Sequence, residues 1–268
     1  MRYNVSDVSV VIPCFRCAST IARAVESVAD QTSRPYEVIL VDDCSRDETL
    51  DKLHELRGLY PDGWIKVVSL RVNSGAGVAR NAGWKIAACK YVAFLDADDS
   101  WHPNKIESQY GWMVEHPEVA LTGHDNRLIG FNGRPGECFK ESGSPKFFFV
   151  GKWRIFLSNW FPTSSVMLLR DIPQRFVDGK RYAEDYQLWM EICCAGLKCY
   201  WFNAPLVFYY KAAYGESGLS ASLWRMEKGE LAAYVYLFRK GFLGVWLLAP
   251  LMAWSMIRFL RRIFKVSF

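Results

Sequence analysis

The stretch Tyr91–Trp101, Tyr-Val-Ala-Phe-Leu-Asp-Ala-Asp-Asp-Ser-Trp, constrains the fold more than any other part of the chain. Five apolar residues run without a break into three carboxylates, Asp96, Asp98 and Asp99. A short continuous apolar run is the pattern of a strand buried on both faces. Ionised acids cannot stay buried without partners, so they should emerge at the strand's carboxyl end. In an open α/β sheet that edge is where ligands bind. Asp96 and Asp98 are two positions apart, and beyond the strand both can turn their oxygens toward one point. Mg²⁺ and Mn²⁺ take oxygen ligands and share them with substrate phosphates. The pattern fits a metal–diphosphate site. It fits equally well a polar turn ahead of a helix beginning near Pro103.

The residues before this stretch alternate between strand and helix. Val8–Pro13 is an apolar, β-branched strand stopped by proline. Ser19 or Thr20 can cap a helix carrying Ile21, Ala24, Val25 and Val28. Glu37–Val41 is a second strand ending in Asp42 and Asp43, and Asp47 can cap a helix with Leu50, Leu53 and Leu56. Ile65–Leu70 is a third strand, Ala76–Cys89 a third helix and Tyr91–Leu95 a fourth strand. Short connections of this kind predict a parallel, doubly wound half-domain over 1–100, with all four strand ends on one edge. Val119–Gly123 reads as a fifth strand. From His124 to Gly151 the pattern breaks into Gly/Pro/Ser turns, a long loop of the kind that covers substrates. Val166–Leu169 reads as a strand, Asp185–Ala195 as a helix and Tyr200–Tyr210 as an aromatic strand pair around Pro205.

Charge is distributed unevenly. The net charge is +5, yet six basic residues and no acid follow Phe238, so the preceding body is close to neutral. A basic patch confined to an apolar tail points to an anionic membrane surface rather than to nucleic acid. Gly241–Ile257 is uncharged over 17 residues. As a helix it would span roughly 25 Å, short of a hydrocarbon core of about 30 Å, and Pro250 interrupts it. Arg258, Arg261, Arg262 and Lys265 share one helical face. This predicts a helix lying in the membrane interface, ahead of a core-packed or a spanning one. The opening residues are too polar for a signal peptide. The eight cysteines lack zinc spacing and read as reduced, which fits a cytosolic setting.

Three further motifs can carry chemistry. Asp42 and Asp43 can accept hydrogen bonds from a base or ribose, or simply form an Asx turn. Asn73-Ser-Gly-Ala-Gly-Val-Ala-Arg80-Asn81 places Gly75 and Gly77 before a helix, where free N–H groups attract phosphate, with Arg80 one turn inside. The plainer reading is an ordinary helix start with a surface arginine. The first strand ends in Pro13-Cys14-Phe15 without glycine, against a dinucleotide oxidoreductase or a nucleotidyltransferase. Glu184-Asp185 opens an amphipathic run and offers a helix cap or a carboxylate general base. Trp160, Thr163 and Ser164 mix an aromatic face with hydroxyls, suited to an acceptor sugar or to a buried turn.

Taken in order, Val-Val-Ile-Pro-Cys-Phe, Val-Asp42-Asp43-Cys-Ser-Arg-Asp, Asn73-x-Gly-x-x-x-Ala-Arg80-Asn81, Leu-Asp96-Ala-Asp98-Asp99 and Glu184-Asp185-x-x-Leu-Trp resemble the family 2 glycosyltransferases of GT-A fold. The resemblance covers roughly residues 6–210. It implies an α/β, Rossmann-like catalytic domain over 1–238, with an acceptor-binding half from 101, and an apolar, basic helical tail over 239–268. It implies inverting transfer from a nucleotide-diphosphate sugar, with UDP the commonest nucleotide, assisted by Mg²⁺ or Mn²⁺. Pro13, Phe15, Asp42, Asp43, Asn73, Arg80 and Asp96 would bind the donor. Asp98, with Asp96, would hold the metal, and Asp185 would be the base with Glu184 beside it. Cys14 and Cys44 depart from the polar or small residues more usual there, which leaves the nucleotide open. Together with the tail, this implies a lipid-linked sugar acceptor in bacterial surface-polysaccharide synthesis, with the protein peripheral or monotopic on the cytoplasmic side of the plasma membrane. The alternative is a catalytically silent sugar-nucleotide-binding or membrane-scaffold protein of the same fold.

Overall fold

A computed structural model describes residues 4–130, 145–210 and 222–267. The elements run β1 (Asn4–Cys14), α1 (Ile21–Ala29), β2 (Ser33–Asp42), α2 (Thr49–Leu59), β3 (Ile65–Ser69), α3 (Ala76–Ile86), β4 (Tyr91–Phe94), β5 (Ser100–Trp101) and α4 (Lys105–Glu115). They continue with β6 (Val119–Leu128), β7 (Phe147–Phe149), α5 (Lys152–Leu157), β8 (Met167–Leu169), α6 (Glu184–Cys194), β9 (Lys198–Tyr209), α7 (Leu223–Arg239) and α8 (Val245–Ser267). Among the described residues the strands form one sheet in the order β3-β2-β1-β4-β8-β6-β9-β5, with β7 also paired to β9. β3, β2, β1 and β4 are mutually parallel, so their carboxyl ends share one edge as expected.

The parallel strands are apolar throughout because both faces are covered. Val10, Ile12, Val38, Leu40, Tyr91 and Ala93 pack into the core on one side, with α1 and α4. Their neighbours Val11, Ile39, Val41, Val92 and Phe94 pack into the other, with α3 and α6. The two-residue period of a strand makes this division automatic.

Several sequence expectations are corrected. α3 ends at Ile86, not Cys89, because buried polar groups take the chain over: the Ala88 amide donates to Glu37 at 2.7 Å and the Cys89 amide to Ser9 Oγ at 3.1 Å. Thr20 sits at the start of α1 but makes no capping bond; its hydroxyl donates to the Cys17 carbonyl. The region after His124 is not irregular at its ends, since β6 continues to Leu128 and Phe147–Phe149 form β7. Residues 131–144 of that expected loop lie outside the described residues. Residues 200–209 belong to one strand, not a pair. Pro205 falls where the β6–β9 register shifts, so its missing N–H costs no regular ladder bond.

The tail is α8, packed on α7 and α5. Arg258 and Arg262 do not point outward with Arg261. Arg258 meets Glu230 at 2.8 Å, and Arg262 meets Glu227 at 3.0 Å and Glu230 at 2.9 Å. The outward side of α8 is apolar instead, with Trp246 88% exposed and Ile257, Leu260 and Phe264 also exposed. Among the described residues no helix is long and apolar enough to cross a membrane.

One glycine fixes how α3 sits on the sheet. A Cβ at Gly83 would lie 2.4 Å from Val11 Cγ1 and 3.1 Å from Val41 Cγ2. Gly83→Ala should therefore push α3 off β1 and destabilise the protein by about 1–3 kcal/mol, the usual range for overpacking. A circular-dichroism melting curve checks this, and an unchanged midpoint would refute the close approach.

Candidate active site

The carboxyl ends of the parallel strands open onto a cavity of about 720 Å³. Pro13, Phe15, Asp43, Asn73, Arg80, Asp96, Asp98, Thr163, Glu184 and Asp185 all line it. Residues separated by as many as 172 positions in the chain thus meet in one groove, as the sequence motifs required. Pro13 comes from the end of β1, Asp43 from just after β2, Arg80 from one turn inside α3, Asp96 and Asp98 from the turn after β4, and Glu184 and Asp185 from the first turn of α6.

Arg80 is the electrostatic centre. It is 4% exposed, with Nη2 2.6 Å from Asp96 and Nη1 3.3 Å from Glu184. Burial opposes its charge, but Asp96, Glu184 and Asp185 more than offset this and raise its pKa. Arg80 is not the surface arginine of the plainer reading but an internal link that still reaches the cavity.

Glu184 is held protonated to about pH 7, first by burial and then by the charge of Asp185, against the pull of Arg80. Burial also raises Asp185. Its oxygens accept from the Tyr186 amide at 2.7 Å and from Thr163 Oγ1 at 3.0 Å, and these bonds favour the ionised form. Asp185 is thus an oriented carboxylate facing the cavity.

The acid turn after β4 is braced from behind. Ser164 donates to Asp99 at 2.6 Å and accepts from the Asp96 amide at 3.1 Å. Arg23, stacked 3.4 Å over the Tyr210 ring, donates to the Asp98 carbonyl at 2.7 Å. Asp99 is buried, and burial together with Asp96 and Asp98 raises its pKa well above the usual range. Asp96 and Asp98 are the two carboxylates of this turn that line the cavity. As hard oxygen donors beside a groove, they suit Mg²⁺ or Mn²⁺ completed by diphosphate oxygens. Among the described residues there is no cluster of three or more acidic, His or Cys side chains that could hold a metal alone.

Four expected roles change. Asp42 is buried, accepts from the Ser45 amide and Ser69 Oγ, and does not line the cavity. Asp43 lines it, yet its carboxylate accepts from the Ser74 and Gly75 amides at 2.7 Å each and from Asn73 Nδ2 at 3.0 Å. The N–H groups expected to attract phosphate at the start of α3 are therefore taken by Asp43. Ser164 is fully buried, which removes it from an acceptor surface. Trp160 packs against Trp201 and donates to the Arg154 carbonyl, away from the cavity lining.

Sequence reasoning missed Arg181, Tyr182, Ala183 and Met226, which also line the groove. Proximity to Glu184-Asp185 was the only available signal for the first three. Ala183 has φ of 52°, a strained left-handed turn that aims the start of α6 at the cavity. Arg181 donates to Asn73 Oδ1 at 2.8 Å and closes the groove between its two halves. Tyr209, at the end of β9, is kept protonated by burial and by the charges of Asp99, Asp96, Asp185 and Asp98.

The model of the family described as "Glycosyl transferase family 2" matches residues 9–170. The Bacillus subtilis putative teichuronic acid biosynthesis glycosyltransferase TuaG is 31% identical, covering 82% of this chain and 84% of its own. An Escherichia coli protein, the UDP-Glc:alpha-D-GlcNAc-diphosphoundecaprenol beta-1,3-glucosyltransferase WfaP, is 31% identical over 75% of this chain and 76% of its own. Staphylococcus aureus TarS 1-349 with UDP-GlcNAc superposes with a TM-score of 0.70 at 23% identity, covering 96% of this chain and 72% of TarS 1-349. That likeness shows a shared GT-A fold.

The electrostatics predict how Arg80 matters. Arg80→Met leaves Glu184 and Asp96 without their cation, so Glu184 should titrate above about 7. Breaking such a buried pair costs about 3–5 kcal/mol at full ionisation. The loss should be large at pH 8, where Glu184 must ionise, and smaller at pH 5, where it is protonated. Urea unfolding at the two pH values measures this; equal losses would contradict the assigned coupling.

Proposed function

The chain belongs to glycosyl transferase family 2, and on that premise we propose that it is an inverting glycosyltransferase. It moves a sugar from a UDP-sugar to a hydroxyl of a lipid-linked sugar acceptor in bacterial surface-polysaccharide synthesis. The observation that carries this is the meeting of Asp43, Asp98 and Asp185 around one cavity large enough for an activated sugar. The names of the relatives support the pathway, and that of the E. coli relative supports the donor and the diphospholipid acceptor.

Pro13 and Phe15, at the end of β1, form the wall against which the base lies. Asp43 and Asn73 shape the pocket beside it, and Arg181 reaches across from the other half. Arg80 and the turn carrying Asp96 and Asp98 face the diphosphate. Asp98 and Asp96 would hold a divalent cation, which would supply charge neutralisation for a nucleoside-diphosphate leaving group. Arg80 adds fixed positive charge at the same place.

Asp185 takes the proton of the acceptor hydroxyl, and the freed oxygen attacks the anomeric carbon opposite the leaving diphosphate. Thr163 and the Tyr186 amide keep its carboxylate turned toward the cavity. Glu184, shared with Arg80, keeps α6 registered to the donor side. A single displacement needs no enzyme nucleophile.

Replacing Asp185 with Asn should lower kcat by about 10²–10⁴-fold while donor KM changes little, the usual contribution of a general base. Nucleoside diphosphate release across a panel of sugar nucleotides, with and without Mn²⁺ and with a diphospholipid-linked acceptor, measures both values. A fully active Asp185→Asn enzyme would overturn the assignment.

The outward face of α8 serves as the membrane contact. Trp246, Ile257, Leu260 and Phe264 recur at helical spacing and are exposed, with Arg261 beside them. An amphipathic helix of this kind lies in the lipid interface. Ile257→Asp/Leu260→Asp should abolish co-sedimentation with anionic vesicles while leaving turnover on a water-soluble acceptor intact. Unchanged sedimentation would remove α8 from the membrane.

A further inference from the structure

A second cavity, also of about 720 Å³, lies against the first. Arg181 and Tyr182 line both. One wall is the segment leading into α6, with Lys180 and Arg181; the other is a face of α7, with Arg225, Lys228 and Arg239. No carboxylate among the described residues lines it. Among the described residues none of these five cations has an acidic partner within ion-pair distance.

This concentration of positive charge follows from how α7 is used. Its acids Glu227 and Glu230 face α8, where Ser255, Arg258 and Arg262 hold them. The basic residues of α7 are left on the opposite side without compensation. Two carboxylates stand near the cavity's edges: Glu191 accepts from Tyr236 Oη at 3.3 Å, and Glu184 stands toward the first cavity, where its charge acts on Lys180.

The site is rigid and incomplete. α7 is seated on the segment before α6 at Gly229, where a Cβ would come 2.5 Å from the Tyr182 carbonyl oxygen. Lys180 Nζ donates to the Gly229 carbonyl at 2.9 Å across the same seam. Gln187, 3% exposed, lines the cavity, and its buried amide nitrogen has no hydrogen-bond partner among the described residues. A buried amide donor left unpaired is costly, and an acceptor oxygen entering the cavity would satisfy it.

We propose that this cavity binds the phosphate attached to the acceptor sugar, so that the sugar bridges from it to Asp185 in the adjoining groove. The proposal rests on the transferase reading and specifies how the acceptor is recognised. Asp185 lines the first cavity and Gln187 the second, so α6 borders both. The chemistry required is a dense anion with several acceptor oxygens. A lipid diphosphate supplies it, and so does the phosphodiester of a polyol-phosphate chain.

The test compares three acceptors bearing the same sugar: an alkyl diphosphate, an alkyl phosphodiester and a neutral alkyl glycoside. Wild-type enzyme should favour one of the phosphorylated acceptors over the neutral one by about tenfold or more in kcat/KM, the scale of one or two charge-assisted hydrogen bonds. Preference for the diphosphate identifies a lipid carrier, and preference for the phosphodiester a polymer. Lys228→Ala/Arg239→Ala should erase the preference through acceptor KM, with donor KM and acceptor-free donor hydrolysis unchanged. Lys228→Arg/Arg239→Lys should retain it, which separates charge from folding damage. Equal use of all three acceptors by the wild type, or a preference that survives the alanine pair, overturns the proposal. Calorimetric titration of the full chain with inorganic pyrophosphate under saturating UDP needs no turnover. Binding lost in the alanine pair supports the cavity even if no sugar nucleotide is cleaved, and the absence of binding in the wild type counts against it.

Discussion

The bridge from Asp96 through Arg80 to Glu184 is the interaction on which the site depends. Asp96 belongs to the turn after β4, Arg80 to α3 and Glu184 to α6. One buried guanidinium thus ties the parallel half of the sheet to the helix carrying Asp185. A buried cation needs partners of opposite charge, and two carboxylates this close would repel without it. Each group makes the burial of the others tolerable. Gly83, three positions after Arg80, lets α3 approach the sheet closely enough for the guanidinium to reach both acids.

Around this bridge the protein concentrates negative charge. Asp96, Asp98, Asp99, Glu184 and Asp185 converge, and burial or mutual repulsion raises Asp99, Glu184 and Asp185 above ordinary carboxylate pKa values. Hydrogen bonds restrain the effect at Asp185, where Thr163 and the Tyr186 amide support the charged form. Ser164 and Arg23 stabilise the acid turn from behind without lining the groove. Carboxylates so arranged suit a cation and an anionic leaving group arriving together.

The C-terminal helices extend the same logic of segregated charge. α7 neutralises its acids against α8 and leaves its cations facing the segment before α6. α8 turns Arg258 and Arg262 inward and an apolar stripe outward. With two of its arginines satisfied internally, α8 presents an apolar face on which Arg261 is the exposed cation among the residues whose exposure is described. The outward face of α8, the second cavity and the helix carrying Asp185 are thus joined through α7.

The sequence by itself determined the parallel half of the sheet and nearly all of the groove's chemistry. Apolar runs such as Glu37–Val41 and Tyr91–Leu95 can be stable only when covered on both faces, and their terminal acids must then emerge at one edge. That local rule places Asp43, Asp96 and Asp98 at the groove, and Pro13, Arg80 and Asp185, which the motif resemblance marked, line it as well. Tertiary structure alone decided which polar groups face the groove and which face protein. Asp42 and Asp43 are adjacent, yet only Asp43 lines the groove, because successive side chains at a strand end point to opposite sides. Thr163 and Ser164 also part company, but within a 3₁₀ turn, where successive side chains point in different directions around the axis. The basic residues of α8 look alike on a helical wheel, but Glu227 and Glu230, about 30 residues away, turn Arg258 and Arg262 inward. Partners that distant in the chain leave no periodic trace, since period reports only the face of an element and never what packs against it.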